Sequence, residues 1–139
     1  MHKALRPEPD RPKSVLLIDI DGISSRILKS LVESTRKYRL IITRTFADGM
    51  LCQKQNECDV ILLACNKRQP PLPKIINKLH QFRPEVPIIA LGVNISEKYG
   101  EELIKANAFD YISVSKYSTE LLNRAIRYAI LSAEQQQKI

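Results

Sequence analysis

A chain of 139 residues with 44% hydrophobic and 27% charged side chains has the size and balance of one folded domain. No apolar run approaches the roughly 20 residues of a membrane span, and three cysteines without a C-x-x-C pair argue against a disulfide framework or a zinc site. The net charge of +7 is spread over scattered Lys and Arg with no tryptophan and no aromatic-interleaved basic run, which ranks nucleic acid last among partners.

Met1–Lys13 carries Pro7, Pro9 and Pro12 among charges and reads as a disordered arm, without the features of a signal peptide. The ordered domain is expected to span residues 14–131. Val15-Leu16-Leu17-Ile18 reads as a buried first strand that ends at Asp19-Ile20-Asp21-Gly22. Ile27, Leu28, Leu31 and Val32 then recur at helical spacing, which predicts a first helix to about Lys37. Arg39–Thr45 is β-branched with charged flanks, as suits an edge strand. Phe46, Met50 and Leu51 mark a second helix that ends before Cys58.

Asp59-Val60-Ile61-Leu62-Leu63-Ala64 is a continuous apolar run too short for a helix, the pattern of a strand buried on both faces. In open α/β sheets the functional crevice lies beyond the carboxyl ends of the strands, so Ala64 is expected to face it with a methyl group. Pro73 suits the first turn of a third helix, with Ile75, Ile76, Leu79 and Phe82 on its buried face. Ile88–Leu91 forms a fourth strand that ends at Gly92. Ser96 caps a fourth helix whose apolar side is Leu103, Ile104 and Ala108. Tyr111–Val114 is a fifth, more mixed edge strand. Ser118 or Thr119 then caps a last helix with a stripe of Leu121, Leu122, Ala125, Ile126, Ala129 and Ile130. Residues 132–139 continue it without Gly or Pro, as a helical extension or linker. Five strands alternating with five helices give an α/β, doubly wound, five-stranded parallel sheet.

Enzymatic motifs are missing from this scaffold. The four glycines are too dispersed for a phosphate-cradling loop, no G-x-S-x-G elbow follows a strand, and His2 and His80 have no evident chemical partners. Cys65, just past the central strand, reads as a small packing residue. The chain is not expected to be an enzyme.

From Ser14 to about Leu131 the order and spacing of several segments resemble a response-regulator receiver domain of bacterial two-component signalling. The matching segments are Val-Leu-Leu-Ile-Asp in the first strand, Asp59-Val-Ile-Leu-Leu, Pro84-x-x-Pro87-Ile-Ile-Ala-Leu, Asn107-Ala-Phe-Asp110-Tyr111-Ile, and Glu120-Leu-Leu-x-x-Ala-Ile. The resemblance implies a flavodoxin-like strand order of 2-1-3-4-5. In that family a carboxylate pair after strand one holds magnesium beside a phosphoacceptor aspartate ending strand three. A Ser or Thr ending strand four and a Lys ending strand five bind the phosphoryl oxygens. Here the first acidic position matches Asp19 and the second Ile20. The phosphoacceptor position matches Ala64, the hydroxyl position Gly92 and the lysine position Val114, followed by Ser115. Asp21 and Lys116 lie near the site but supply no nucleophile at Ala64.

Nucleophile, second acid, hydroxyl and counter-cation are thus all replaced by groups that cannot do those jobs. The resemblance therefore implies a non-phosphorylatable pseudo-receiver in the cytoplasm, with no cofactor and no bound metal. Its partner is expected to be a protein or an attached output or sensor domain. The surface of the fourth helix, fifth strand and fifth helix is the family's partner and homodimer face. Tyr111 matches its switch aromatic, and Lys98, Glu101, Lys105, Ser113, Asn123 and Arg127 are candidate contacts. Two alternatives are a small-anion or nucleotide module using the vacated crevice with Lys67 and Arg68, and a phosphoaccepting receiver with an atypical site.

Overall fold

Hydrophobic residues in both odd and even positions along a strand commit both of its faces to burial, and the chain does this in three strands. In the computed structural model, which describes residues 12–20, 37–65, 71–92, 95–113 and 119–137, those strands lie side by side. The elements are β1 (Lys13–Asp19), β2 (Tyr38–Thr43), α1 (Phe46–Gln55), β3 (Val60–Ala64), α2 (Leu72–Phe82), β4 (Ile88–Gly92), α3 (Glu97–Lys105), β5 (Asp110–Ser113) and α4 (Thr119–Gln137). All neighbouring strands pair in parallel, in the order β2-β1-β3-β4-β5. The expected topology is therefore present, with β2 and β5 at the edges. Four helices fall among the described residues. They correspond to the second to fifth expected helices, and the expected first helix lies outside the described residues.

The strict period of two splits the core into two layers. Val15, Leu17, Val60, Leu62, Ile89 and Leu91 project to one face, against Leu122, Ala125, Ile126 and Ala129 of α4. Leu16, Ile18, Ile61, Leu63, Ile88 and Ala90 project to the other, against Ile76 and Leu79 of α2 and Leu103 of α3. Burial of each such Leu or Ile contributes about 1.5–3 kcal/mol, so β1, β3 and β4 are the energetic centre of the domain.

Local chemistry sets the element ends. Thr45 and Ser96 accept hydrogen bonds from the N–H groups of Asp48 and Tyr99, both at 3.0 Å, and so cap α1 and α3. Pro73 sits in the first turn of α2, as its fixed φ favours. Asp59 precedes β3 and joins it to β1, since its carboxylate accepts from the Ser14 N–H at 2.8 Å while its own N–H donates to Ser14 O at 2.9 Å.

Some boundaries differ from expectation. β1 already begins at Lys13, because pairing of Lys13 with Tyr38 and Ser14 with Arg39 of β2 extends the ladder by two residues. Strands β2 and β5 each start one residue earlier than expected, and β2 ends before Arg44. Ile104 and Leu121 were expected in the core and are instead 42% and 39% exposed. In each helix a neighbouring leucine, Leu103 or Leu122, takes the fully buried position. Helix α4 continues unbroken to Gln137, and Glu134 in its final turns meets Lys13 with Nζ and Oε2 3.2 Å apart.

Asn107, in the turn from α3 to β5, has φ of 88°, and the turn is closed by Ala108 N–H donating to Leu103 O at 3.0 Å. A β-branched residue is strained there, whereas glycine is not. Asn107→Val is expected to lower unfolding stability by about 1–2 kcal/mol, and Asn107→Gly to leave it unchanged within about 0.5 kcal/mol, by urea denaturation.

Candidate functional site

The carboxyl ends of β1, β3 and β4 meet in one crevice, where the residue types expected from the sequence are brought together. Asp19 ends β1 and is fully buried, and its Cα partner across the sheet is Ala64, the 2% exposed end of β3. Paired residues of neighbouring parallel strands project to the same side, so the Ala64 methyl group lies beside the Asp19 carboxyl. Ile20 follows directly and donates its N–H to Ala64 O at 3.0 Å. The next residue of the central chain, Cys65, is buried and donates its N–H to Leu91 O at 3.2 Å.

Gly92 ends β4 opposite Ser113 of β5. A Cβ at Gly92 would stand 3.2 Å from Cδ1 and Cγ1 of Ile95 and 3.3 Å from Cys65 O. The hydroxyl-bearing side chain of a receiver would thus have to push Ile95 aside. Ile20 and Ile95 are both half-buried against the core, and with Ala64 they give the crevice apolar side chains beside the Asp19 carboxyl. Ile95 was not singled out in the sequence, and an isoleucine just after a strand-ending glycine was its one signal. Asp21, Lys67, Arg68, Val114 and Lys116 lie outside the described residues.

A magnesium ion of the kind receivers bind needs several oxygen ligands. Among the described residues Asp19 alone brings a carboxylate to this crevice, and no group of three or more His, Cys, Asp or Glu is placed to hold a metal. The described donor set does not fit the ion.

Tyr111 of β5 is half-buried, and α3 accommodates it through a gap in its own surface. A Cβ on Gly100 would fall within the Tyr111 ring, touching Cζ, Cε1 and Cε2. The bare backbone at Gly100 therefore seats the aromatic ring. A glycine in mid-helix with no capping role was the signal for this contact in the sequence.

The six candidate contact residues do not form one patch. Lys98, Glu101 and Lys105 are exposed on α3, and Ser113 is half-buried in the adjoining β5. Asn123 and Arg127 instead line a groove of about 300 Å³ with Lys37 and Tyr38, at the start of β2. Strands β2 and β5 are opposite edges of the sheet. These two residues therefore sit on the flank of α4 turned away from β5, and the expected six-residue face divides in two.

A second groove, of about 310 Å³, lies at the opposite end of the sheet from the crevice, lined by Cys58, Asp59, Arg83, Glu85 and the last turns of α4. Burial foremost, then the neighbouring Cys52, Asp59 and Glu85, push the Cys58 thiol from its ordinary 9.0 up to about 12, against the opposing pull of Arg83. The folded state thus holds this proton more tightly than the unfolded chain. The associated stability is complete below pH 9 and is lost as pH rises toward 12. Between those limits the protein is expected to lose up to about 1 kcal/mol per pH unit more than a Cys58→Ala variant, in parallel urea titrations.

Solved structures place this architecture. The signal receiver domain of an HD domain-containing protein from Pseudomonas fluorescens Pf-5 superposes with a TM-score of 0.78 at 22% identity, covering 90% of this chain and 99% of that one. A CheY-like response-regulator receiver domain from Methanospirillum hungatei JF-1 gives 0.78 at 19% identity, covering 91% and 99%. The fold is that of a receiver domain. The receiver domain of a sensor histidine kinase from Pseudomonas aeruginosa PAO1, solved with magnesium in its active-site cleft, gives 0.73 at 19% identity, covering 86% and 98%. No protein-family model and no curated protein matches the chain. Among the described residues of this receiver fold, no helix is long and apolar enough to cross a membrane.

Proposed function

We propose that this chain is a pseudo-receiver, a receiver scaffold in a two-component or phosphorelay signalling protein that works through protein contacts without accepting a phosphoryl group. The observation that carries the reading is Ala64 at the end of β3, in register with the buried Asp19. A methyl group stands where the reaction requires a nucleophile. The close approach of Ile95 to Gly92 acts in the same direction, because a hydroxyl-bearing side chain there would first have to displace it. The reading makes the chain a regulatory module rather than an enzyme. Cys52, Cys58 and Cys65 form no disulfide, which suits a reducing cytoplasm. The unbroken α4, which runs past the last core residue Ile130 to Gln137, suits a rod that couples residues 14–131 to an attached output or sensor domain.

Incubation with acetyl phosphate and magnesium, followed by intact-mass measurement, is expected to show no phosphoryl adduct. Millimolar magnesium is expected to leave the melting temperature unchanged. A stable adduct would overturn the reading in favour of an atypical phosphoacceptor.

A further inference from the structure

The outer side of α4 carries an apolar and basic seam that the core does not use. Leu122, Ala125, Ile126 and Ala129 face the sheet, whereas Leu121, Arg124, Tyr128 and Leu131 follow one another at spacings of three and four on the opposite side. Leu121, Tyr128 and Leu131 are 39%, 47% and 49% exposed, an expensive arrangement to leave in water along almost three turns. The spacing is that of a surface that receives another helix.

Charge decides which helix. The guanidinium groups of Arg124 and Arg127 lie 5.5 and 5.4 Å from the centre of the Tyr128 ring. Hydrogen bonding from Arg127, with the positive charge of Arg124, holds the Tyr128 phenol below its ordinary value. Neither arginine belongs to an ion pair among the described residues, where the two pairs are Lys13–Glu134 and Arg83–Glu85. The groove beside them holds Lys37, Arg124 and Arg127 against the single carboxylate of Glu120. A second copy docking seam to seam would bring these cations together, in a chain whose net charge is already +7. An acidic helix removes that repulsion and supplies carboxylates to both arginines.

We propose that α4 is a docking surface for an acidic amphipathic helix of a partner protein, which packs apolar side chains on Leu121, Tyr128 and Leu131 and places carboxylates at Arg124 and Arg127. This deepens the interaction reading above and rests on it only in treating the domain as a contact module. The phosphodonor assay and the assay below therefore fail independently.

The probe is a fluorescein-labelled synthetic peptide about three heptads long, with Leu at the seam positions and Glu beside them. Fluorescence anisotropy with the whole chain is expected to show saturable binding that weakens as salt rises. A peptide of the same composition in scrambled order, and one with Lys in place of Glu, are expected not to bind. The Arg124→Glu/Arg127→Glu variant is expected to bind the acidic peptide at least about tenfold more weakly, as is Tyr128→Ala, with circular dichroism and melting temperature unchanged because these side chains are exposed. Sedimentation velocity of the chain alone is expected to give a monomer. The proposal is overturned if the acidic peptide fails to bind, or if the scrambled peptide binds equally. It is also overturned if the chain forms a dimer that Leu131→Glu dissociates, since the seam would then belong to a second copy.

Discussion

Replacing Ala64 with aspartate, the side chain a phosphorylatable receiver carries there, is expected to destabilise this protein by about 2–4 kcal/mol at neutral pH. Ala64 is 2% exposed and lies in register with the fully buried Asp19, so the new carboxylate would be both desolvated and next to another carboxyl group. The half-buried Ile20 and Ile95 offer it no hydrogen bond from their side chains. Burial raises the folded-state pKa of the introduced carboxyl above its unfolded value of about 3.9. The penalty is therefore absent below that unfolded value, grows as pH rises, and is complete above the raised folded value. Urea unfolding of Ala64→Asp and the parent chain, compared at neutral pH and near pH 4, checks the sign, and Ala64→Ser controls for size with a smaller loss. Equal stability of Ala64→Asp and the parent at neutral pH would mean that the crevice still accommodates an anion, and the inferred apolar adaptation of the site would be wrong.

The second large effect concerns Tyr111 and the gap in α3 that seats it. Gly100→Ala places a methyl group inside the space of the Tyr111 ring. The ring must leave its half-buried position, and the loss is expected to be about 2 kcal/mol after the gain in helix propensity is counted. In a Tyr111→Ala background that clash is gone, and only the propensity term of about 1 kcal/mol remains, now stabilising. The same substitution thus changes sign, and a double-mutant cycle should return a coupling energy of about 3 kcal/mol. Additive effects would show that the ring moves aside freely, as expected of a switch residue, whereas strong coupling marks Tyr111 as a fixed part of the α3–β5 packing.

The fold was legible in the chain because parallel strands buried on both faces leave continuous apolar runs between polar segments. Val15–Ile18, Val60–Leu63 and Ile88–Leu91 are of this kind, and each forms a strand at the centre of the sheet. Helix phase was harder to read. Leu121 and Leu122 differ by one step of a helix, and only contact with the sheet decides that Leu122 is buried and Leu121 exposed. The same uncertainty misplaced Asn123 and Arg127, whose positions near β2 depend on how α4 is rotated against the sheet. At the crevice, the nature of Asp19, Ile20, Ala64 and Gly92 could be read from their order along the chain. The packing of Ile95 on Gly92 could not, since it depends on the path taken after β4.

The contact between Lys13 and Glu134 joins residues 121 positions apart. Both side chains are about half exposed, so the pair adds little to stability. Its geometric meaning is larger, because the start of the first strand and the last helix come together at the end of the sheet remote from Ala64. A domain whose ends emerge side by side can be spliced into a surface loop of a host protein without prying the host's two segments apart. For the same reason its own ends can be fused by a short bridge and the chain reopened elsewhere, giving a circularly permuted form that leaves the strand-end crevice untouched.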